Sequence, residues 1–84
     1  MSQTIVEKRV KLFDSVTLKY GTQNREYTVV RINTHIDCIE TSQYNRGIEA
    51  GETAMQIMLG CGFKGFDKKS FWERLTHING LPVA

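Results

Sequence analysis

His35, Cys38, Cys61 and His77 make a Cys2His2 set by count, the donor set a tetrahedral zinc ion takes. Zinc ligands usually arrive in closely spaced pairs. His35 and Cys38 fit that spacing, but Cys61 and His77 stand 16 residues apart, so no metal site is expected. Cys38 as a nucleophile would need a nearby base and a pKa-lowering environment. On a strand, His35 and Asp37 fall on the face opposite Cys38, so the geometry is poor. His77 lies one helical turn after Glu73, which reads as a surface contact. No catalytic residue and no cofactor is expected, and the chain is not read as an enzyme.

Gly60-Cys61-Gly62-Phe63-Lys64-Gly65 matches the letters of the G-x-G-x-x-G fingerprint. That fingerprint works only after a strand and before a helix, where backbone amides meet a pyrophosphate. Here the glycines follow a helical pattern, so they read as a helix stop and a bend. Lys64, Lys68 and Lys69 cluster near the start of the next helix and could hold a phosphate or carboxylate there. Arg9, Lys11, Lys19 and Arg31, with Tyr27 among them, could form a basic sheet face that tracks nucleic acid. Charge is unevenly spread: residues 1–34 carry a net +3, residues 35–56 a net −3 and residues 57–84 a net +2. The acidic stretch includes Glu49 and Glu52. Trp72 follows Phe71, so one of the two must point away from a shared apolar stripe, and an exposed Trp is a common interface anchor.

These side chains need elements to position them. Thr4–Phe13 alternates imperfectly and predicts a strand, with a helix over residues 2–13 as the competing reading. Val16–Tyr20 alternates again, Gly21–Asn24 is a polar hairpin loop, and Glu26–Ile32 is rich in β-branched and aromatic residues. His35–Glu40 returns as a fourth strand, giving an antiparallel meander. Thr41 or Ser42 can cap a helix running to about Leu59, ended by Gly60 and Gly62. Gly47, Ala50, Gly51 and Ala54 give it a smooth strip, expected to seat on the sheet. Each glycine there costs about 1 kcal/mol relative to alanine, so something must approach closely.

A second helix starts at Asp67 as N-cap, with Phe66 and Phe71 as a hydrophobic staple and Phe71, Leu75 and Ile78 as its stripe. Asn79-Gly80 reads as a Schellman-like stop, with Leu81 folding back on Leu75 before Pro82. The expected fold is α+β: a sheet of three to four strands over residues 1–41, then two helices over 42–81 packed on one face. Residues 1–84 form a single domain.

With 40% hydrophobic and 24% charged residues the chain reads as globular. It has no apolar run near the ~20 residues a membrane span needs and no secretion-signal layout. A cytoplasmic, non-membrane protein with reduced cysteines is expected. In size and organisation the chain is similar to the small α+β proteins that phages and other mobile elements make to bind host factors. The expected function is a non-enzymatic protein-binding module, an inhibitor or adaptor. Trp72, Lys64, Lys68, Lys69, Glu49 and Glu52 are its candidate contact residues. A domain this small gains stability by pairing with a copy, so a homodimer is favoured. The alternative is a nucleic-acid-binding accessory protein using Arg9, Lys11, Lys19 and Arg31.

Overall fold

Alternating apolar and polar residues from Ser15 to Glu40 fold as three consecutive antiparallel strands, β1 (Ser15–Tyr20), β2 (Gln23–Ile32) and β3 (His35–Glu40). The computed structural model describes residues 9–83. Two helices follow, α1 (Thr41–Glu49) and α2 (Ala54–Cys61), then β4 (Lys64–Asp67), α3 (Lys68–Arg74), β5 (Leu75–Ile78) and β6 (Leu81–Pro82). The strands make one six-stranded sheet in the order β4-β3-β2-β1-β5-β6, with every neighbouring pair antiparallel. The α+β class expected from the sequence is therefore correct, and the sheet is larger than the three to four strands expected.

The strand expected over Thr4–Phe13, and its helical alternative, fall mostly outside the described residues. Residues 9–13 belong to no strand or helix. Phe13 takes a left-handed φ of 71° in the turn that delivers the chain to β1. Its amide donates to the Val29 carbonyl at 2.7 Å, and the Val29 amide donates to the Asp14 carbonyl at 3.0 Å.

Both faces of the sheet carry buried layers. One buries Val16, Leu18, Tyr27, Val29, Ile36, Cys38, Phe66, Leu75 and Ile78 against Phe71 of α3, with Tyr20 and Trp72 half-buried at its margin. The other buries only Val30 and Ile39 of the sheet against Ile57 and Met58 of α2, with Tyr44 of α1 packed beside them. The helices thus divide between the two faces, rather than both packing on one. The reason is geometric: β4 lies between α2 and α3, so the chain passes through the sheet edge before α3 begins.

The single long helix expected from Thr41 or Ser42 to Leu59 is two helices. Gly51 adopts φ +86°, a left-handed position that ends α1, and Thr53 then caps α2. Thr53 and Gln56 form a reciprocal capping box, with the Gln56 amide donating to Thr53 Oγ1 at 3.2 Å and the Thr53 amide to Gln56 Oε1 at 2.8 Å. The expected cap at Thr41 or Ser42 is also corrected. Glu40 occupies the N-cap of α1 without a side-chain cap, while Thr41 Oγ1 bonds Thr28 Oγ1 on β2 at 3.1 Å. Nor does the strip Gly47, Ala50, Gly51 and Ala54 seat on the sheet. Gly47 meets α2: a Cβ placed there would clash with the Ile57 side chain.

The second expected helix starts as predicted and stops early. The Ser70 amide donates to Asp67 Oδ1 at 2.6 Å, and the Phe66 and Phe71 rings lie 6.2 Å apart, so both N-cap and staple are present. Leu75, expected on its stripe, instead opens β5, which pairs with β1. Asn79 and Gly80 have φ of 51° and 82° and form the turn between β5 and β6. Two left-handed residues in succession are what a tight I′ hairpin turn requires, and Asn-Gly is its preferred pair.

Candidate functional site: a cationic cluster on Tyr20

The β1–β2 hairpin determines which side chains share its end. Gly21 has φ +60° at the first position of a two-residue turn, so Tyr20 pairs with Gln23 and Leu18 with Arg25. Tyr20 and Arg25 are therefore diagonal neighbours on the face that α3 covers. Arg25 Cζ lies 5.0 Å from the centre of the Tyr20 ring. Lys64 reaches the same ring from β4, its Nζ 4.6 Å from the centre, and Arg74 reaches it from the last turn of α3, also at 4.6 Å. Any two of the three charges thus lie within about 10 Å, roughly one Debye length at 0.1 M salt.

Cation–π attraction offsets part of this repulsion. Among the described residues no carboxylate lies within ion-pair distance of Arg25, Lys64 or Arg74, although Glu40 lines the same cavity as Arg25 and Lys64; the ion pair seen is Arg31–Asp37. Arg74 is additionally fixed by bonds to the Lys19 carbonyl at 3.1 Å and to Ser70 Oγ at 3.3 Å. The Tyr20 hydroxyl is buried, with no partner at full hydrogen-bond geometry among the described residues, yet it lies close enough to Tyr27 to act on it. Burial raises the pKa of the neighbouring Tyr27 above the usual tyrosine value; Tyr20 adds to the rise, while Arg25 and Lys64 oppose it. Arg25 and Lys64 also line an open cavity of about 350 Å³, together with Glu40, Gln43, Cys61 and Phe63.

The residues singled out from sequence are dispersed. Lys64 belongs to the Tyr20 cluster, whereas Lys68 and Lys69 are exposed on the first turn of α3. That helix start already holds an anion, the protein's own Asp67 carboxylate, so the shared three-lysine site is not formed there. Lys19 and Arg31 do not share a site either. Lys19 pairs with Asn24, and Arg31 sits seven residues further along β2, about 23 Å at the usual strand rise. A bulge at Val30 sets Arg31 on the α1–α2 side opposite Asp37, where its Nε donates to Asp37 Oδ2 at 2.6 Å. Arg31 also lies over the Phe63 ring, at 5.1 Å. Tyr27, expected among these basic groups, is 3% exposed on the other face. Arg9 and Lys11 are exposed ahead of β1.

Trp72 is half-buried, packed edge-on against Phe71 at 5.2 Å, so much of its surface is already committed to the core. Glu49 and Glu52 are exposed where α1 gives way to α2. Cys38 is fully buried, and desolvation, with Asp37 next to it, pushes its thiol pKa up to about 12. Cys61 is exposed, and its thiol donates to the Ile57 carbonyl at 3.1 Å. Among the described residues no His, Cys, Asp and Glu side chains gather as a metal-binding group. No described helix is long and apolar enough to cross a membrane.

Sequence reasoning missed Tyr20, Arg25 and Arg74. The hairpin pair was legible, since a two-residue Gly21-Thr22 turn puts Tyr20 and Arg25 on one face. Arg74 and Lys64 had no local signal, because α3 and β4 bring them in from distant positions. No protein-family model, curated protein or solved structure matches the chain.

Proposed function

We propose that the protein is a non-enzymatic binding module that occupies the surface of a protein partner through the outer face of α1 and α2. The observation that carries this reading is the exposure of Met55 and Leu59, at 61% and 80%. They stand four residues apart on α2 and so form one apolar ridge. Ile48 of α1 is exposed too, as are Phe13, stacked on Tyr44 of α1, and Phe63, under Arg31. These are five of the seven large apolar side chains exposed among the described residues, and all belong to the α1–α2 side.

The layer beneath is thin, with four buried residues, so this side has apolar surface outside as well as inside. Contiguous apolar surface of this kind marks interaction sites. Glu49 and Glu52 both precede the ridge in sequence, between Ile48 and Met55, which fits a partner whose apolar groove has a basic rim at that end. A stable complex would cover about 800 Å² of this chain, against a total surface of 5665 Å².

The test is a nuclease-treated affinity capture from native cells, followed by reconstitution with the purified captured protein. Wild type should bind it directly, and Leu59→Glu should abolish binding while keeping the wild-type circular dichroism spectrum. Undiminished binding by a folded Leu59→Glu variant would reject the surface. Capture of only the chain itself would make the ridge a homodimer contact.

A further inference from the structure

We infer that the hairpin end of the sheet is a binding site for a small phosphate monoester of the nucleotide class. Its phosphoryl group would lie between Arg25 and Lys64, with its body toward Phe63, Glu40 and Gln43. This site shares Phe63 with the apolar α1–α2 surface but contains neither Met55 nor Leu59, and it does not rest on the protein-binding reading.

Three observations converge. First, Arg25, Lys64 and Arg74 crowd one aromatic ring without a carboxylate in ion-pair contact among the described residues. A ring has two faces, so at least two of the three cations share one; Arg25 and Lys64 also share the cavity. Like charges held together in the free protein are relieved by a bound anion. A guanidinium and an ammonium provide the fork and the point charge that phosphoryl oxygens accept from. Second, Arg25 and Lys64 both act on Tyr27, which lines the same cavity, opposing the rise that burial gives its pKa. Third, the cavity of about 350 Å³ falls within the range of small-ligand pockets.

The other groups facing the cavity narrow the ligand. Glu40 is the one acidic side chain among the described lining residues, and Gln43 adds an amide, so hydroxyl and amino donors on the ligand body would be accepted there. Phe63 supplies an aromatic wall, 48% exposed, suited to a base. Glu26 and Glu40 border the neighbouring depression beside Arg25, so a polyanionic strand leaving the site on that side would meet carboxylates. A single phosphoryl group on a compact body fits this pattern better than a nucleic-acid backbone does. The mode also differs from that of a glycine-rich loop, since side chains rather than backbone amides hold the anion.

The experiment is an amide NMR titration of the full chain at low salt with AMP, inorganic phosphate, glucose 6-phosphate and an oligothymidylate. AMP is expected to saturate shifts at Arg25, Gln43, Phe63 and Lys64, and to bind more tightly than phosphate or the sugar phosphate. Arg25→Gln or Lys64→Gln should each weaken AMP about tenfold or more, the loss expected for one charge-assisted hydrogen bond. Lys68→Gln should leave it unchanged. Phe63→Ala should remove the preference for AMP over phosphate. In the ligand-free protein, Arg25→Gln and Lys64→Gln should keep or raise Tm, because each removes a like charge.

No saturable shift with AMP would overturn the site. So would equal binding of AMP and glucose 6-phosphate, or binding of the oligonucleotide alone. A fall in Tm with AMP affinity unchanged would show that the two cations merely cover the Tyr20 ring.

Discussion

Gly47 shows how a single atom sets the spacing of two helices. Its missing Cβ leaves room for Ile57, whose side chain would otherwise clash with that atom. Gly47→Ala gains helix propensity but overpacks the contact, and is expected to destabilise the fold by about 1–3 kcal/mol. Chemical denaturation would measure this, and Ile57→Val in the same chain should restore part of the loss. Cys38 offers a second test. Its thiol is raised from 9.0 to about 12 by burial, so the folded state holds that proton more tightly than the unfolded state does. Its stabilising contribution is therefore complete below pH 9 and is lost as pH rises from 9 toward 12. Denaturation midpoints should fall across that window, and less so in Cys38→Val. Part of the fall should remain in that variant, because Tyr27 is shifted in the same direction. At pH 8, iodoacetamide should label Cys61 in the native protein and leave Cys38 untouched until it unfolds.

Helix and turn boundaries follow side chains that satisfy backbone groups. Thr53-x-x-Gln56 starts α2 by the reciprocal bonds of a capping box, and Thr53→Ala should cost about 1 kcal/mol. Gly80 at φ +82° closes the β5–β6 turn, and Gly80→Ala should cost a similar amount, about 1 kcal/mol, since alanine avoids left-handed backbone. Thermal unfolding would read both. Asp67 with Phe66 and Phe71, and Gly62 at φ +81° after α2, were visible as local grammar. The Asn79-Gly80 pair carries two meanings, a helix stop or a hairpin turn. Leu75-Thr76-His77-Ile78 carries apolar ends at positions that suit a helix stripe and, with a bulge at Thr76, a strand face equally well. Pairing with β1 decides for the strand.

The whole molecule is held by that pairing. β5 closes the β1 edge of the N-terminal hairpin with the last part of the chain, through Val16–Ile78, Thr17–His77 and Leu18–Leu75. The Ser15 amide and the Asn79 carboxamide reinforce it at 2.9 Å, and the Asn79 amide donates to the Ser15 carbonyl at 2.6 Å. A chain ending at Arg74 would expose β1 as a bare edge and uncover Leu18 and Val16. It should lose cooperative urea unfolding, which Trp72 fluorescence would report. A truncated chain that unfolded as sharply as the full one would show that β5 and β6 are dispensable.

Period-two alternation from Ser15 to Glu40, the Asp67 cap, the Phe66–Phe71 staple and a glycine stop could be read directly, because each is a relation between residues a few positions apart; of the two glycines read as that stop, Gly62 is the C-cap and Gly60 lies inside α2. That was enough for the α+β class and for three of the six strands. The face each helix covers, the conversion of Leu75–Ile78 to a strand and the gathering of Tyr20, Arg25, Lys64 and Arg74 were not legible in this way. They depend on contacts between segments up to about 60 residues apart, where strand pairing and burial outweigh local preference. The Val30 bulge shows the limit most plainly: one extra residue moves Arg31 to the other face of the sheet, and no local pattern announces it.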